Sequence, residues 1–321
     1  MKNKGTILIS GCAGFIGSNV SAKLIKEGYH VVGVDDLSSG HKEFLHPDVE
    51  FIQDDFVSSQ VSYKICKTHF DAIVHLAANP RVSFSVEHPL STHENNVSKS
   101  LQLIDFVRQS HSCIGTKFIF ASSSSVYGGE TPRPTKESDP FSPQSPYALQ
   151  KMTIDSYLRL YAKFYGFDCC SLRFFNVFGN NGLGSSPYST AISAWLTAIM
   201  ENKPLRFDGD GSQTRDMCHV DNVAHAISLA IKHDKNLNGE AYNVACGESV
   251  SNKEILDYLM KVFPNVNINY SPWRPGDVMH TLADVNKIQR ELEYTVQTRF
   301  WNGLDKTIEW YVSYYGNKGN I

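Results

Sequence analysis

The chain has 321 residues, 41% of them hydrophobic and 20% charged, the mix of a soluble globular protein rather than of a disordered or fibrous one. A formal net charge of −3 with no basic block gives no hold on a nucleic-acid backbone. No apolar run reaches the ~18 residues of a membrane span.

The length suits one large domain or two that share a core. The opening "MKNKGTILISG" runs straight into a strand-like segment. It lacks the longer apolar region and small-residue cleavage site of a signal peptide. Seven scattered cysteines, an odd number, read as reduced and mostly buried thiols of a cytoplasmic protein.

In chain order, predicted strands fall at 6–10 (TILIS), 30–34 (HVVGV), 49–53 (VEFIQ), 71–77 (DAIVHLA), 117–122 (KFIFAS) and 169–175 (CCSLRFF). Between them lie helix-like segments such as 16–28 and 96–110. Continuous apolar strands separated by helices predict a parallel sheet covered on both faces. Beyond Asn176 the texture changes to polar loops, "GNNGLGSSPYST", "GDGSQTRD" and "SPWRPGD". The later run "EAYNVAC" reads as one more sheet strand, so the C-terminal part is expected to be a smaller lobe interleaved with the sheet.

The first strand runs into "SGCAGFIGSNV", which carries Gly11, Gly14 and Gly17. A strand, a GxxGxxG turn and a helix provide a tight bend, close backbone approach to a pyrophosphate, and a helix N-terminus aimed at the anion. Asp35 closes the second strand about 20 residues on, where an acid accepts from the adenosine ribose hydroxyls and repels a 2′-phosphate. This predicts a Rossmann-like, doubly wound α/β fold that binds a dinucleotide, NAD in preference to NADP. Asp54 and Asp55 follow the third strand, where they meet either the adenine or only solvent.

The fifth strand ends in four hydroxyls, Ser122 to Ser125. Further on, "SPQSPYALQK" has Ser145 as an N-cap and Pro146 at the first helical position. Tyr147 and Lys151 are then i and i+4 on one face. A phenol with a pKa near ~10 is a poor base at neutral pH. A neighbouring ammonium and the positive end of the helix stabilise its phenolate, which makes Tyr147 a candidate general base. A serine at the end of a neighbouring parallel strand lies at the crevice where ligands bind in such sheets.

These residues resemble the extended short-chain dehydrogenase/reductases, in their nucleotide-sugar epimerase branch. The resemblance spans nearly the whole chain. It rests on "GCAGFIGSN", "VDDLSSG", "HLAA", "ENNV", "SSSSVYGG", "SPYALQK", "RFFNVFG", "GSQTRDMCHVDN" and "RPGDVMHTLADVNK". It implies NAD-dependent 4-epimerisation of a UDP-sugar through a transient 4-keto sugar, with Ser123, Tyr147 and Lys151 catalytic. NAD is expected against Gly11, Gly14, Phe15, Ile16, Gly17, Asp35, Asp55, Phe56, Leu76, Ala77, Ala78, Asn96, Tyr147 and Lys151. The sugar nucleotide is expected against Ser123, Ser124, Asn176, Arg215, Arg274, Asp277 and Thr281. Ser124 and Ser125 stand where related 4,6-dehydratases carry an aspartate and a glutamate, and Ser122 reads as structural. No metal is expected, because "MCHVD" has no second ligand cluster. Residues 1–176, joined by about 216–246, would hold NAD. Residues 177–215 and 247–321 would hold the substrate, and the enzyme would be a homodimer.

Two departures bear on the sugar. Relatives acting on uronic acids carry an arginine soon after "NVFG", whereas here Asn180, Asn181 and Gly182 follow. A buried carboxylate without a cation is costly, which disfavours UDP-glucuronate. Thr281 aligns with a wall residue that is bulky in strict glucose/galactose epimerases. A small side chain there leaves room for an N-acetyl group, so UDP-GlcNAc/UDP-GalNAc is favoured, with UDP-Glc/UDP-Gal as further substrates. The alternatives are a UDP-glucuronate 4-epimerase or a nucleotide-sugar dehydratase or reductase of the same fold. A non-enzymatic NAD-sensing regulator would be expected to have lost the tyrosine or the lysine.

Overall fold

The computed structural model describes residues 4–129, 133–184, 190–273 and 278–318, so Arg274 and Asp277 lie outside the described residues. The strands are β1 Thr6–Ser10, β2 His30–Asp35, β3 Glu50–Gln53, β4 Ala72–His75, β5 Lys117–Ser123 and β6 Cys169–Phe174, then β7 Asn176–Phe178, β8 Leu205–Asp208, β9 Thr214–His219, β10 Glu240–Val244, β11 Ser249–Ser251 and β12 Ile268–Ser271. The helices are α1 Phe15–Lys26, α2 Ser59–Lys67, α3 Val82–Glu87, α4 Pro89–His93, α5 Lys99–Gln109 and α6 Pro146–Tyr165, then α7 Ala191–Met200, α8 Val220–Lys232, α9 Asn252–Val262, α10 Asn286–Leu292 and α11 Phe300–Asn317.

Seven parallel strands form the main sheet in the order β10-β6-β5-β4-β1-β2-β3. The chain builds outward from β1 to β3, then returns to place β4 on the other side of β1. That reversal leaves a crevice at the carboxyl ends of β1 and β4, where ligands bind in open α/β sheets. Successive side chains alternate between faces. Ile7, Ile9, Val31 and Val74 pack with Val20 and Leu24 of α1 and Val223 and Ile227 of α8. Leu8, Val32, Ile73 and Phe118 pack with Ile65 of α2, Leu103 and Ile104 of α5, and Ile154 and Leu158 of α6.

A three-stranded sheet, β11-β9-β7, and a two-stranded one, β12-β8, build the smaller lobe over a separate core of Phe178, Trp195, Phe207, Ile255, Phe300 and Tyr311. Two details depart from the sequence reading. Asn176 pairs with Met217 and opens β7, a short strand that the sequence reading did not include. β9 follows β7 into the small sheet, so α8 and β10 join the main sheet without it. All seven cysteines are free, and all but Cys66 are buried. Among the described residues no helix is long and apolar enough to cross a membrane.

Candidate active site

A cavity of about 680 Å³ occupies the crevice. Its first wall is the turn between β1 and α1. Gly11 adopts φ +74°, and a Cβ there would lie 2.8 Å from the Ala77 nitrogen. A Cβ on Gly17 would lie 1.9 Å from the Gly11 carbonyl oxygen. Glycine is what lets backbone close on backbone here. Helix α1 begins at Phe15 with no side-chain cap on its N-terminus and no acid in its first turn, which leaves its amides open to an anion.

Asp35 ends β2 in the cavity wall, buried, accepting from the Ala13 and Leu37 amides at 2.9 Å each. Burial raises its pKa against the pull of those two amides. The carboxylate is thus fixed in the cavity wall, suited to a ribose diol. Asp55 also lines the cavity, with Lys99 donating to it at 2.6 Å. Phe56 packs at a tilt against the buried His75 ring, 4.8 Å between centroids, and Leu76, Ala77 and Ala78 continue the wall beyond β4. Glycine turn, open helix end and anchored acid together fit a dinucleotide.

Asn96 needs correcting. It sits in a π-helical turn, Glu94–Ser98, that displaces the next side chains by one position, so Asn95 faces the cavity instead. The Asn96 amide is buried behind the wall, accepting from the Asn79 amide at 2.7 Å and donating to Gln150 at 2.8 Å. It braces the Asn79 backbone rather than lining the cavity.

Helix α6 starts as its sequence dictates. The Ser145 side chain accepts from the Ala148 amide, and Pro146 takes the first position. The Tyr147 amide also donates to Ser85 of α3 at 3.1 Å, a brace with no sequence signal. Tyr147 and Ser123, the last residue of β5, line the cavity wall together, with the Ser123 hydroxyl near enough to favour the phenolate. Ser123 Oγ also accepts from the Ser125 amide at 3.2 Å. Ser122 and Ser124 line the cavity as well. Ser122 pairs with Arg173 within the sheet, and its hydroxyl is buried with no hydrogen bond among the described residues.

Lys151 lies under Tyr147, with Nζ 5.9 Å from the phenol ring centroid and donating to the Ala121 carbonyl at 2.7 Å. The expected low acidity barrier at Tyr147 is not present in the protein alone. Burial pushes the phenol up to about 12, and the nearby Ser123 hydroxyl lowers it only in part. Burial also pulls Lys151 down to about 8, against the attraction of Asp155. Desolvation outweighs the helix-turn neighbour that the sequence reveals.

The other end of the cavity is cationic and polar. Arg215 lines it and anchors its guanidinium on the Thr214 and Met279 carbonyls at 3.0 and 3.1 Å. Asn176 and Thr281 adjoin one another, with their side chains 3.4 Å apart. Thr281 Oγ1 accepts from the Asp216 amide at 3.1 Å. Buried Asp216 accepts from the Cys246, Gly247 and Ala283 amides at 2.9–3.2 Å, tying the Thr281 segment to β9. Arg133 and His280 join this wall unforeseen. They are brought there by loop pairings such as the Thr135 amide with the Leu282 carbonyl at 2.8 Å. Asn181 lines the cavity and donates to Ser18 at 3.0 Å.

Residues 7–245 match the sequence profile described as "NAD dependent epimerase/dehydratase family". A putative UDP-glucose 4-epimerase of Methanocaldococcus jannaschii is 31% identical, over 95% of this chain and 97% of that protein. A solved UDP-N-acetylglucosamine 4-epimerase of Methanobrevibacter ruminantium, in complex with UDP-N-acetylmuramic acid, superposes with a TM-score of 0.89 at 33% identity, covering 98% of this chain and 100% of that one. A UDP-glucuronic acid 4-epimerase of Bacillus cereus, with UDP-glucuronic acid and NAD, gives a TM-score of 0.86 at 29% identity over 97% and 100%. With a profile match running from β1 to β10 and relatives alike along nearly their full length, the chain belongs to the NAD dependent epimerase/dehydratase family.

Proposed function

We propose that this chain interconverts UDP-N-acetylglucosamine and UDP-N-acetylgalactosamine by inverting C4, and that it also takes UDP-glucose and UDP-galactose. It is an isomerase, a UDP-sugar 4-epimerase of its family, and its cofactor is NAD. The observation that carries the reading is the Tyr147–Ser123 pair, in the same cavity as the glycine turn and a small wall residue, Thr281.

NAD, held by the glycine turn and Asp35, would supply reversible hydride transfer at C4 of the sugar. The chain's own residues do the rest. Tyr147 receives the proton of the C4 hydroxyl and gives it back, with Ser123 sharing the hydrogen bond. An ammonium at Lys151 favours the phenolate electrostatically. Gly11, Gly14 and Gly17 let the backbone approach the pyrophosphate, and Asp35 holds the adenosine ribose. Arg215 is the candidate for the sugar-nucleotide diphosphate, a group that guanidinium pairs well. Arg274 and Asp277, outside the described residues, remain candidates by resemblance. Incubation with UDP-GlcNAc, UDP-Glc and UDP-GlcA side by side, read by proton NMR, tests the reading. It predicts C4-epimer from UDP-GlcNAc, and turnover of UDP-GlcA alone would overturn it.

One observation favours a second reading. Arg133 in the cavity wall supplies a cation that the segment after β7 lacks, and a carboxylate-bearing sugar could pair with it. The UDP-GlcA arm of the same assay decides it.

The chain is further proposed to work as a homodimer. Leu160, Phe164 and Tyr165 stand 46%, 66% and 57% exposed on α6, which supports a second copy packing there. Sedimentation equilibrium checks it, with a monomer at micromolar concentration as the contrary result.

A further inference from the structure

Lys151 is 4% exposed, and among the described residues its ammonium has no carboxylate in direct contact. Nζ donates to the Ala121 carbonyl and stands 4.6 Å from the centroid of the Phe120 ring. A carbonyl and a ring solvate a cation in part but leave its charge uncompensated. Four ionisable side chains among the described residues surround it. Tyr147 and Asp155 share its helix, His75 comes from β4, and Arg173 of β6 lies behind Asp155. His75 offers no negative charge. Its two ring nitrogens bond Ser10 at 2.6 Å and Ser100 at 2.9 Å, and burial followed by the Lys151 charge holds its pKa at about 3. Arg173 has the same sign as Lys151.

That leaves Asp155, one turn further along α6. Its carboxylate is 4% exposed, and Oδ2 accepts from Arg173 Nε at 2.8 Å. Oδ1 is buried and has no hydrogen-bond partner among the described residues. Arg173 is itself fixed. It is fully buried, donates to the Tyr127 hydroxyl at 2.7 Å and the Glu137 carbonyl at 3.2 Å, and packs its guanidinium over the Tyr127 and Phe141 rings. Tyr127 in turn donates to Asn243 at 2.7 Å. A buried ion pair is a poor device for stability, since two apolar side chains of similar volume pack as well or better. A buried carboxylate oxygen with no bond also calls for a reason. Both features make sense if the pair acts on a third charge.

We infer that Asp155, clamped by Arg173, is the counter-charge that keeps Lys151 in its ammonium form beneath Tyr147. Asp155 is a positioning residue, since it reaches the reacting atoms only through Lys151. Arg173 supplies Asp155 with a hydrogen-bonded cationic partner and holds it at one height on the helix. The inference rests on the Tyr147–Lys151 pair of the proposed function, but its test needs no sugar. Burial already draws Lys151 down to about 8, and Asp155 is the charge that opposes the fall. A lysine whose folded pKa lies below its ordinary value loses its proton early as pH rises. Removing Asp155 should therefore bring that loss into the neutral range.

The experiment is a pH titration of the full-length, NAD-loaded protein carrying ¹³Cε-lysine, followed by NMR, with Lys151→Met assigning the signal. The wild type should show one lysine titrating well below the rest. In Asp155→Asn that midpoint should fall by about one pH unit, a tenfold weaker hold on the proton. Asp155→Glu should restore most of it. If Asp155→Asn fails to fold because Arg173 is left unpaired, the double variant Asp155→Asn/Arg173→Met removes both charges and should still lower the midpoint, because the opposing pull on Lys151 comes from Asp155. An unchanged midpoint in whichever variant folds overturns the inference. A shifted midpoint in a protein that epimerises no UDP-sugar would sustain it and sink the proposed function instead.

Discussion

Gly17→Ala puts the dinucleotide cradle to a quantitative test. The added methyl would start 1.9 Å from the Gly11 carbonyl oxygen and 2.8 Å from Cys12 Cα, both backbone atoms that cannot rotate away. Ordinary contact begins at 3.4 Å, so α1 must back off by about 1.5 Å from the turn that closes on the pyrophosphate. Forcing an extra carbon into a packed site costs about 1–3 kcal/mol, and this contact belongs at the upper end. The same displacement withdraws the helix N-terminus from the anion. Losing ~1.4 kcal/mol of that interaction alone weakens NAD tenfold. We predict a melting temperature lowered by several degrees and NAD affinity reduced at least ~10-fold, read by calorimetry on the stripped protein. Gly316→Ala is the control. It lies in α11 with nothing within 4 Å of its would-be Cβ, and should be neutral or slightly stabilising. Unchanged NAD affinity in Gly17→Ala would refute the role given to the turn.

Other outcomes follow from the same structure. Thr281→Tyr should fill the wall beside Asn176 and cut kcat/KM for UDP-GlcNAc by about 100-fold while sparing UDP-Glc; equal losses on both sugars would remove Thr281 from substrate selection. Burial pushes the Glu27 carboxyl up, but bonds from Lys232, Ser228 and Lys23 outweigh it and hold its pKa at about 2. Its stabilisation is therefore present above the ordinary carboxylate pKa and lost as pH falls through about 2. Glu27→Gln should cost about 1 kcal/mol at pH 7, after allowing for solvent screening, and nothing near pH 2, as urea titrations at the two pH values would reveal.

What was legible in the sequence was local. Gly11, Gly14, Gly17 and Asp35 belong to one strand–turn–helix–strand unit, so their spacing alone brings them together. Ser145 and Pro146 fix where α6 begins, and thereby the shared face of Tyr147 and Lys151. Three things were not legible. The resemblance pointed to Asn96, whereas Asn95 of the π-helical turn Glu94–Ser98 lines the cavity, a local irregularity with no signature in the motif. Arg133 and His280 reach the cavity because residues 135 and 282–283 pair across the fold, a contact with no local signature. The acidity of Tyr147 depends on burial, and a motif carries the identity of a neighbour but not the dielectric around it.

The central claim is that the Tyr147 phenol moves the proton while the rest of the chain holds cofactor and sugar. Tyr147→Phe removes one oxygen from a half-buried ring in the cavity wall and leaves the glycine turn and Asp35 untouched. Wild type and variant, each checked for bound NAD, should be incubated with UDP-GlcNAc and followed by proton NMR. The account predicts UDP-GalNAc from the wild type, and from the variant none above ~1% of that rate, with NAD retained by both. Wild-type turnover in the Tyr147→Phe protein would contradict it.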